Sequence, residues 1–177
     1  LGVRSDSLLE INEYMFDISK PENGRVRLFL KEGTVRAISG RIARENKQSF
    51  RLNTPLAAIG IRGTDFVAAA DQLSTQVAVT SGGVSMSPYG SQCVVVELGS
   101  CLGDNVQDLN AKRVNSFLVV RQGQTAVQVL NGDIEALFAP AHPQENDDTN
   151  INLSRIDDES VNDDVSHILT FALQKIL

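Results

Sequence analysis

Up to about residue 135 the chain alternates apolar and polar positions in short runs rich in β-branched residues. Leu8–Tyr14, Arg25–Leu30, Val35–Ser39, Phe50–Asn53, Phe66–Ala69, Gln76–Val79, Val84–Met86, Phe117–Val120 and Ala126–Leu130 each read as a strand. A period of two puts every second side chain on one face, as a half-buried strand requires. Gly, Asn, Pro21 and Pro55 fall between the runs, where turns need them. No stretch of this region carries a sustained helical apolar period with caps. The pattern predicts an all-β domain over residues 1–139.

Within that pattern lies a repeat. Leu28-Phe29-Leu30-Lys31-Glu32-Gly33-Thr34-Val35 aligns with Val77-Ala78-Val79-Thr80-Ser81-Gly82-Gly83-Val84, and again with Val127-Gln128-Val129-Leu130-Asn131-Gly132-Asp133-Ile134. The shared glycines, Gly33, Gly82 and Gly132, are 49 and 50 residues apart. Each copy reads as a strand with alternate residues inward, a glycine-permitted turn, and a strand back. One such hairpin cannot bury its inner face alone, so three twisted hairpins stacked together are expected to share a continuous core.

Residues 87–115 interrupt the second interval. They contain Pro88, Gly90, Gly99 and Gly103 together with both cysteines of the chain, Cys93 and Cys101. Two cysteines this close in a β-rich chain read as a disulfide that ties a protruding loop at its neck, which implies an oxidising compartment. Two free thiols are the alternative. A metal or thioredoxin-like site fits poorly, since there is no CxxC and no histidine nearby in sequence. After Pro143 the composition changes. Residues 140–161 read as a polar, acidic linker. Residues 162–177 read as an amphipathic helix, with Asn162, Asp163 and Asp164 at its start and an apolar stripe of Val165, Ile168, Leu169, Ala172, Leu173 and Ile176.

Charge changes this picture in one place. The net charge of −6 belongs to residues 144–177, while the rest of the chain is balanced. Inside the balanced part, residues 25–62 carry Arg25, Arg27, Lys31, Arg36, Arg41, Arg44, Lys47, Arg51 and Arg62 against Glu32 and Glu45. Such an excess either steers a partner, with Arg25, Arg27 and Arg36 as the candidate contacts, or is a solvated sheet face. Nucleic acid is not expected, because the chain as a whole is acidic, with a net charge of −6. A mean hydropathy of −0.09 is ordinary for a globular chain. No run approaches the roughly 20 apolar residues that span a bilayer.

Catalytic signals are sparse. Both histidines, His142 and His167, lie beyond the repeats, so a Ser-His-Asp or Cys-His arrangement would need the tail to fold back over them. There is no phosphate-binding glycine loop. The acidic runs at 145–148 and 157–159 lack the spacing of a calcium loop. No catalytic residue, metal site or cofactor is expected. One compact motif stands out, Thr54-Pro55-Leu56-Ala57-Ala58-Ile59-Gly60-Ile61-Arg62-Gly63-Thr64-Asp65-Phe66. Pro55 suits a strand start, and Gly60 and Gly63 permit tight bends. Arg62 and Asp65 are close enough to pair across a turn, and the Thr64 hydroxyl can bond the backbone. The motif reads as a structural corner.

This motif resembles the signature of the FecR-domain family of bacterial envelope proteins, a Thr-Pro, a small apolar run and then Gly-Ile-Arg-Gly-Thr-Asp-Phe. Gly33–Gly40, the Phe50-x-Leu52-x-Thr54-Pro55 lead-in and Ser7–Ile11 are similar to that family as well. The resemblance covers roughly residues 3–86, and the cysteine loop resembles a subset of soluble periplasmic members. It implies a periplasmic, solenoid-like β domain whose start is missing here. It also implies a relation to regulators that pass the occupancy of an outer-membrane siderophore transporter to a sigma factor. The transmembrane and anti-sigma segments of those regulators are not found in this sequence.

The expectation is therefore a non-catalytic periplasmic domain for protein interaction or sensing, with an envelope protein as partner. The alternatives are a self-associating envelope scaffold, with homo-oligomers, and a ligand- or glycan-binding module. A low aromatic content of 5% weighs against the last.

Overall fold

A computed structural model describes residues 1–17, 19–20, 23–38, 48–90 and 92–133. The expected linker over 140–161 and helix over 162–177, with His142 and His167, lie outside the described residues. The described residues are all-β. They form β1 (Gly2–Val3), β2 (Leu8–Met15), β3 (Arg25–Ile38), β4 (Phe50–Asn53), β5 (Ala57–Ala70), β6 (Ser74–Pro88), β7 (Gln107–Asn110), β8 (Ser116–Arg121) and β9 (Gln128–Asn131). These strands join in one open, mixed sheet in which only β3 and β4 run parallel.

In the first two copies of the repeat the glycines, Gly33 and Gly82, do not make turns. The runs expected as separate strands on either side of Gly33 and Gly82 are single long strands, β3 and β6, and Phe66–Ala69 is the second half of an equally long β5. Gly33, Gly63 and Gly82 all have positive φ, at 93°, 61° and 77°. The buried positions show what this does. In β3 they are Val26, Leu28 and Leu30, then Val35 and Ala37; in β5, Ala57, Ile59 and Ile61, then Phe66, Ala68 and Ala70; in β6, Val77 and Val79, then Val84 and Met86. Every strand steps five residues across its glycine. In a regular strand an odd step lands on the opposite face, so an irregularity at the glycine must bring the second half back to the same core. Between β5 and β6 the pairing register shifts at Arg62/Asp65 and again at Asp65/Phe66. Gly82 is required there twice over, by its φ and because a Cβ on it would lie 1.9 Å from the Gly63 carbonyl oxygen.

The three bends line up and divide the sheet into two layers. The first halves of β3 and β5 and the second half of β6 combine with β2, β4 and β7. The remaining halves combine with β1, β8 and β9. Side chains from both layers share one core. Phe50 of β4 meets Phe66 of β5 edge to face, with ring centroids 6.5 Å apart. At one end the Thr54 and Thr75 hydroxyls bond at 2.8 Å in full burial. The expected stack of hairpins is thus replaced, in the described residues, by long bent strands shared between layers.

The 87–115 segment also departs from expectation. It does not protrude. Its later part supplies β7, which pairs with the second half of β6. Its cysteine-closed part lies flat on the outer face of β4 and β5, where Ala58 clusters with Cys93 and Cys101 over Tyr89 and Val106.

Candidate functional site

The site begins with the alternation of β4. Phe50 and Leu52 point into the core, so Arg51 and Asn53 point to the outer face of the same layer. The neighbouring outward positions are small, Ala58 and Gly60 on β5 and Ser85 and Ser87 on β6, which leaves a shallow bed. Gly60 pairs with Arg51 across the strands. A Cβ at Gly60 would lie 2.2 Å from the Ser100 Oγ and 2.7 Å from its Cα, so only glycine lets the loop settle here. Ser100 is then held by a 2.5 Å hydroxyl bond to Ser85.

Over this bed the Cys93–Cys101 disulfide, with Cα atoms 5.2 Å apart, closes a loop whose carbonyls turn inward. Arg51 donates from Nη2 to the Val94 carbonyl at 2.9 Å and from Nη1 to the Gly99 carbonyl at 3.3 Å. Asn53 Nδ2 donates to the Val95 carbonyl at 3.1 Å, and Arg27 Nη1 donates to the Val96 carbonyl. Asn53 Oδ1 in turn accepts from Arg51 Nε and from the Tyr89 hydroxyl, each at 3.1 Å. Arg51 Nη2 also faces both sulfurs, 3.3 Å from Cys93 Sγ and 3.0 Å from Cys101 Sγ.

Arg51 is fully buried, and no described carboxylate forms an ion pair with it. Burial pulls its pKa below the ordinary arginine value, with Tyr89 and Glu97 acting the other way. Its charge is carried by carbonyl dipoles and a side-chain amide instead of an anion. Burial likewise pushes the Tyr89 hydroxyl up to about 12, so this tyrosine remains a neutral donor.

With the carbonyls turned in, the side chains face out. Val94 and Val95 are 41% exposed, Val96 73% and Leu102 79%. Beside them runs an open groove of about 470 Å³, lined by Arg25, Gln48, Val96, Glu97 and Leu102 among others. The arrangement is a stiffened apolar ridge with a charged margin. It suits contact with another macromolecule.

The motif residues run from the turn after β4 through the bend of β5 at Gly63. Thr54 closes its turn by accepting from the Ala57 N–H at 3.0 Å, just before Pro55. The Thr64 hydroxyl bonds the Arg62 N–H at 3.2 Å and both backbone groups of Gly83. Phe66 is fully buried. Arg62 and Asp65, however, do not pair with each other. Asp65 takes a two-pronged bond from Arg36, at 3.0 Å and 2.7 Å, and Arg62 reaches Asp108 at 3.7 Å. The irregularity around Gly63 separates the two residues, and Arg36 lies diagonally across from Asp65 on β3. Arg36 holds the Asp65 carboxyl below its ordinary pKa, and its own is raised in return.

The basic excess of residues 25–62 is offset from outside that window. Glu13 on β2 accepts from Arg25 at 3.0 Å and lies 3.6 Å from Arg27, and Glu10 meets Lys31. Arg25, Arg27 and Arg36 therefore all have partners within the domain, and Arg27 is a loop anchor. Arg51, Asn53 and Tyr89, which organise the site, were not singled out by sequence reasoning. The available signal was a charged residue between two core positions, Phe50-Arg51-Leu52, upstream of a cysteine-bracketed valine run. Among the described residues no group of three or more His, Cys, Asp or Glu is placed to hold a metal ion, and no helix is long and apolar enough to cross a membrane.

Comparison with known proteins bears on the first two thirds of this architecture. No curated protein sequence matches the chain significantly. Two crystal structures of a candidate anti-sigma factor from Parabacteroides distasonis ATCC 8503, at 2.50 Å and 1.65 Å, match with TM-scores of 0.47 and 0.46 and 14% identity. Each match takes in 77% of this chain and 56% or 57% of the other, so the chain spans a little over half the length of those proteins. The model of the family described as FecR protein matches residues 3–85, from β1 to the second half of β6, and includes every residue of the corner motif. Over residues 3–85 this chain is similar to the FecR family.

Proposed function

We propose that this is a non-catalytic interaction and sensing module of the FecR type, working in the periplasm and contributing to envelope signalling through contact with another envelope protein. The observation that carries the reading is the cysteine-closed loop. Four of its carbonyls are tied to Arg51, Asn53 and Arg27, which leaves Val94, Val95 and Val96 facing outward on a rigid bed. Ordering such a ridge before binding lowers the entropy lost on association. The FecR similarity supports a regulatory role, and the disulfide supports an oxidising compartment.

The test is a crosslinking capture from the envelope of the source cell with the wild-type chain and with a Val95→Glu/Val96→Glu variant. Recovery of an outer-membrane transporter or an inner-membrane regulator by the wild type, lost in the variant, is the expected result. An unchanged catch in the variant removes the loop from the reading.

A second reading is a self-associating envelope scaffold. It is favoured by β2, which has β3 as its only described partner strand and exposes Ile11, Tyr14 and Met15, with Phe16 exposed just beyond it. An unpaired, apolar strand edge invites a further strand. Sedimentation at rising concentration separates the two readings, since a chain that stays monomeric throughout is not a scaffold of this kind.

A further inference from the structure

We propose that Cys93–Cys101 is a thiol–disulfide exchange site in which Arg51 receives the departing Cys101 thiolate. Three features converge on this. The guanidinium lies within hydrogen-bond distance of both sulfurs, closer to Cys101 at 3.0 Å than to Cys93 at 3.3 Å. It is fully buried and has no described carboxylate to neutralise it. A thiolate formed beside it would therefore meet a cation whose own dehydration has no anionic offset, and each charge would relieve the other. Finally, both cysteines are nearly fully buried, and Cys93, but not Cys101, borders a cleft of about 200 Å³ together with Tyr89, Gly90, Gln92, Leu102 and Gly103, so an incoming thiol would approach from the Cys93 side.

The partner chemistry is a dithiol. One of its thiolates attacks Cys93 Sγ, a mixed disulfide forms, and the Cys93–Cys101 bond breaks with its electron pair leaving on Cys101. The second thiol of the reductant then displaces Cys93, which takes up a proton. The reductant leaves as a disulfide, having given two electrons, with one proton released to solvent. Reduction is favoured in proportion to the stabilisation of the leaving thiolate. The other charged and titratable groups that act around Arg51 are Tyr89, Glu97 and Arg27. Tyr89 stays neutral, Glu97 opposes a thiolate, and Arg27 supports it.

The experiment follows thiolate ultraviolet absorbance of the reduced protein against pH, for the wild type and for Cys93→Ser, which isolates Cys101. Cys101 is expected to ionise with a pKa at least one unit below the ordinary cysteine value of about 8.5, which is roughly a tenfold larger thiolate-to-thiol ratio at a given pH. Equilibration of the wild-type disulfide with glutathione is expected to lie at least tenfold further toward the reduced form than in Arg51→Met. A Cys101 that titrates at or above about 8.5 overturns the proposal, because desolvation then outweighs the guanidinium. If Arg51→Met does not fold, the wild-type and Cys93→Ser titrations decide the matter alone.

Discussion

At the scale of single residues, charge is placed with unusual economy. Arg51 is buried with neutral partners, so its removal strands the Val94 and Gly99 carbonyls, while Asn53 keeps its bond from Tyr89. Arg51→Met is expected to cost about 2–4 kcal/mol, from an unmet-group penalty of roughly 1–3 kcal/mol each with partial relief by water. Urea unfolding measures it, and a loss below about 1 kcal/mol would mean that the loop finds other donors. Asp65 behaves differently because its pair with Arg36 is exposed. Its folded pKa is depressed below the ordinary 3.8. Its contribution is therefore present above the unfolded value and is lost as pH falls through the folded one. Asp65→Asn should lower stability at neutral pH by a modest amount, with the gap from wild type closing in strong acid. A gap that persists below the folded pKa would assign the effect to packing.

At the scale of elements, the fold depends on strands whose alternation is reset partway along, so that both halves face one core. That change requires glycine where the backbone is left-handed and close to another strand. Gly82→Ala should be strongly destabilising, by about 2–4 kcal/mol, since it combines a positive φ with a Cβ driven against the Gly63 carbonyl. Gly90→Ala is the internal control. Gly90 has no positive φ and open space around it, so its change should stay within about 0.5 kcal/mol. Thermal melts of the two variants side by side test the argument, and equal shifts would contradict it. The same scale explains why the sequence suggested hairpins. A glycine with apolar alternation on both sides looks the same whether the chain reverses or bends and continues. Only the pairing partners, Ala70 for Gly33 and Arg62 for Gly83, distinguish the two.

At the scale of the molecule, two layers share three strands and one core. Phe66 sits where they meet, against Phe50 of the other layer. Phe66→Ala should cost about 3–5 kcal/mol through a cavity that neither layer can close alone. Loss should be cooperative, with backbone and side-chain probes of unfolding moving together; separate transitions would show layers that fold independently. The FecR match ends at residue 85. The candidate surface thus pairs a bed from the matched region, β4 and β5, with a loop from beyond it.

Much of this was determined by the sequence alone. Alternation over short β-branched runs was enough for an all-β domain, because period two is a local property of the strand. The corner around Thr54 and Thr64, the closing of Cys93 on Cys101 and the FecR resemblance rested on neighbours near in sequence or on a distinctive motif. What tertiary structure decided involves partners far apart along the chain. The basic face is answered by Glu10 and Glu13 on another strand. Asp65 belongs to Arg36 and not to nearby Arg62. Arg51 gains its meaning from a loop more than forty residues later. Local pattern sets which face a side chain takes, but long-range pairing sets what stands opposite it, and the electrostatics of this protein depend on the second.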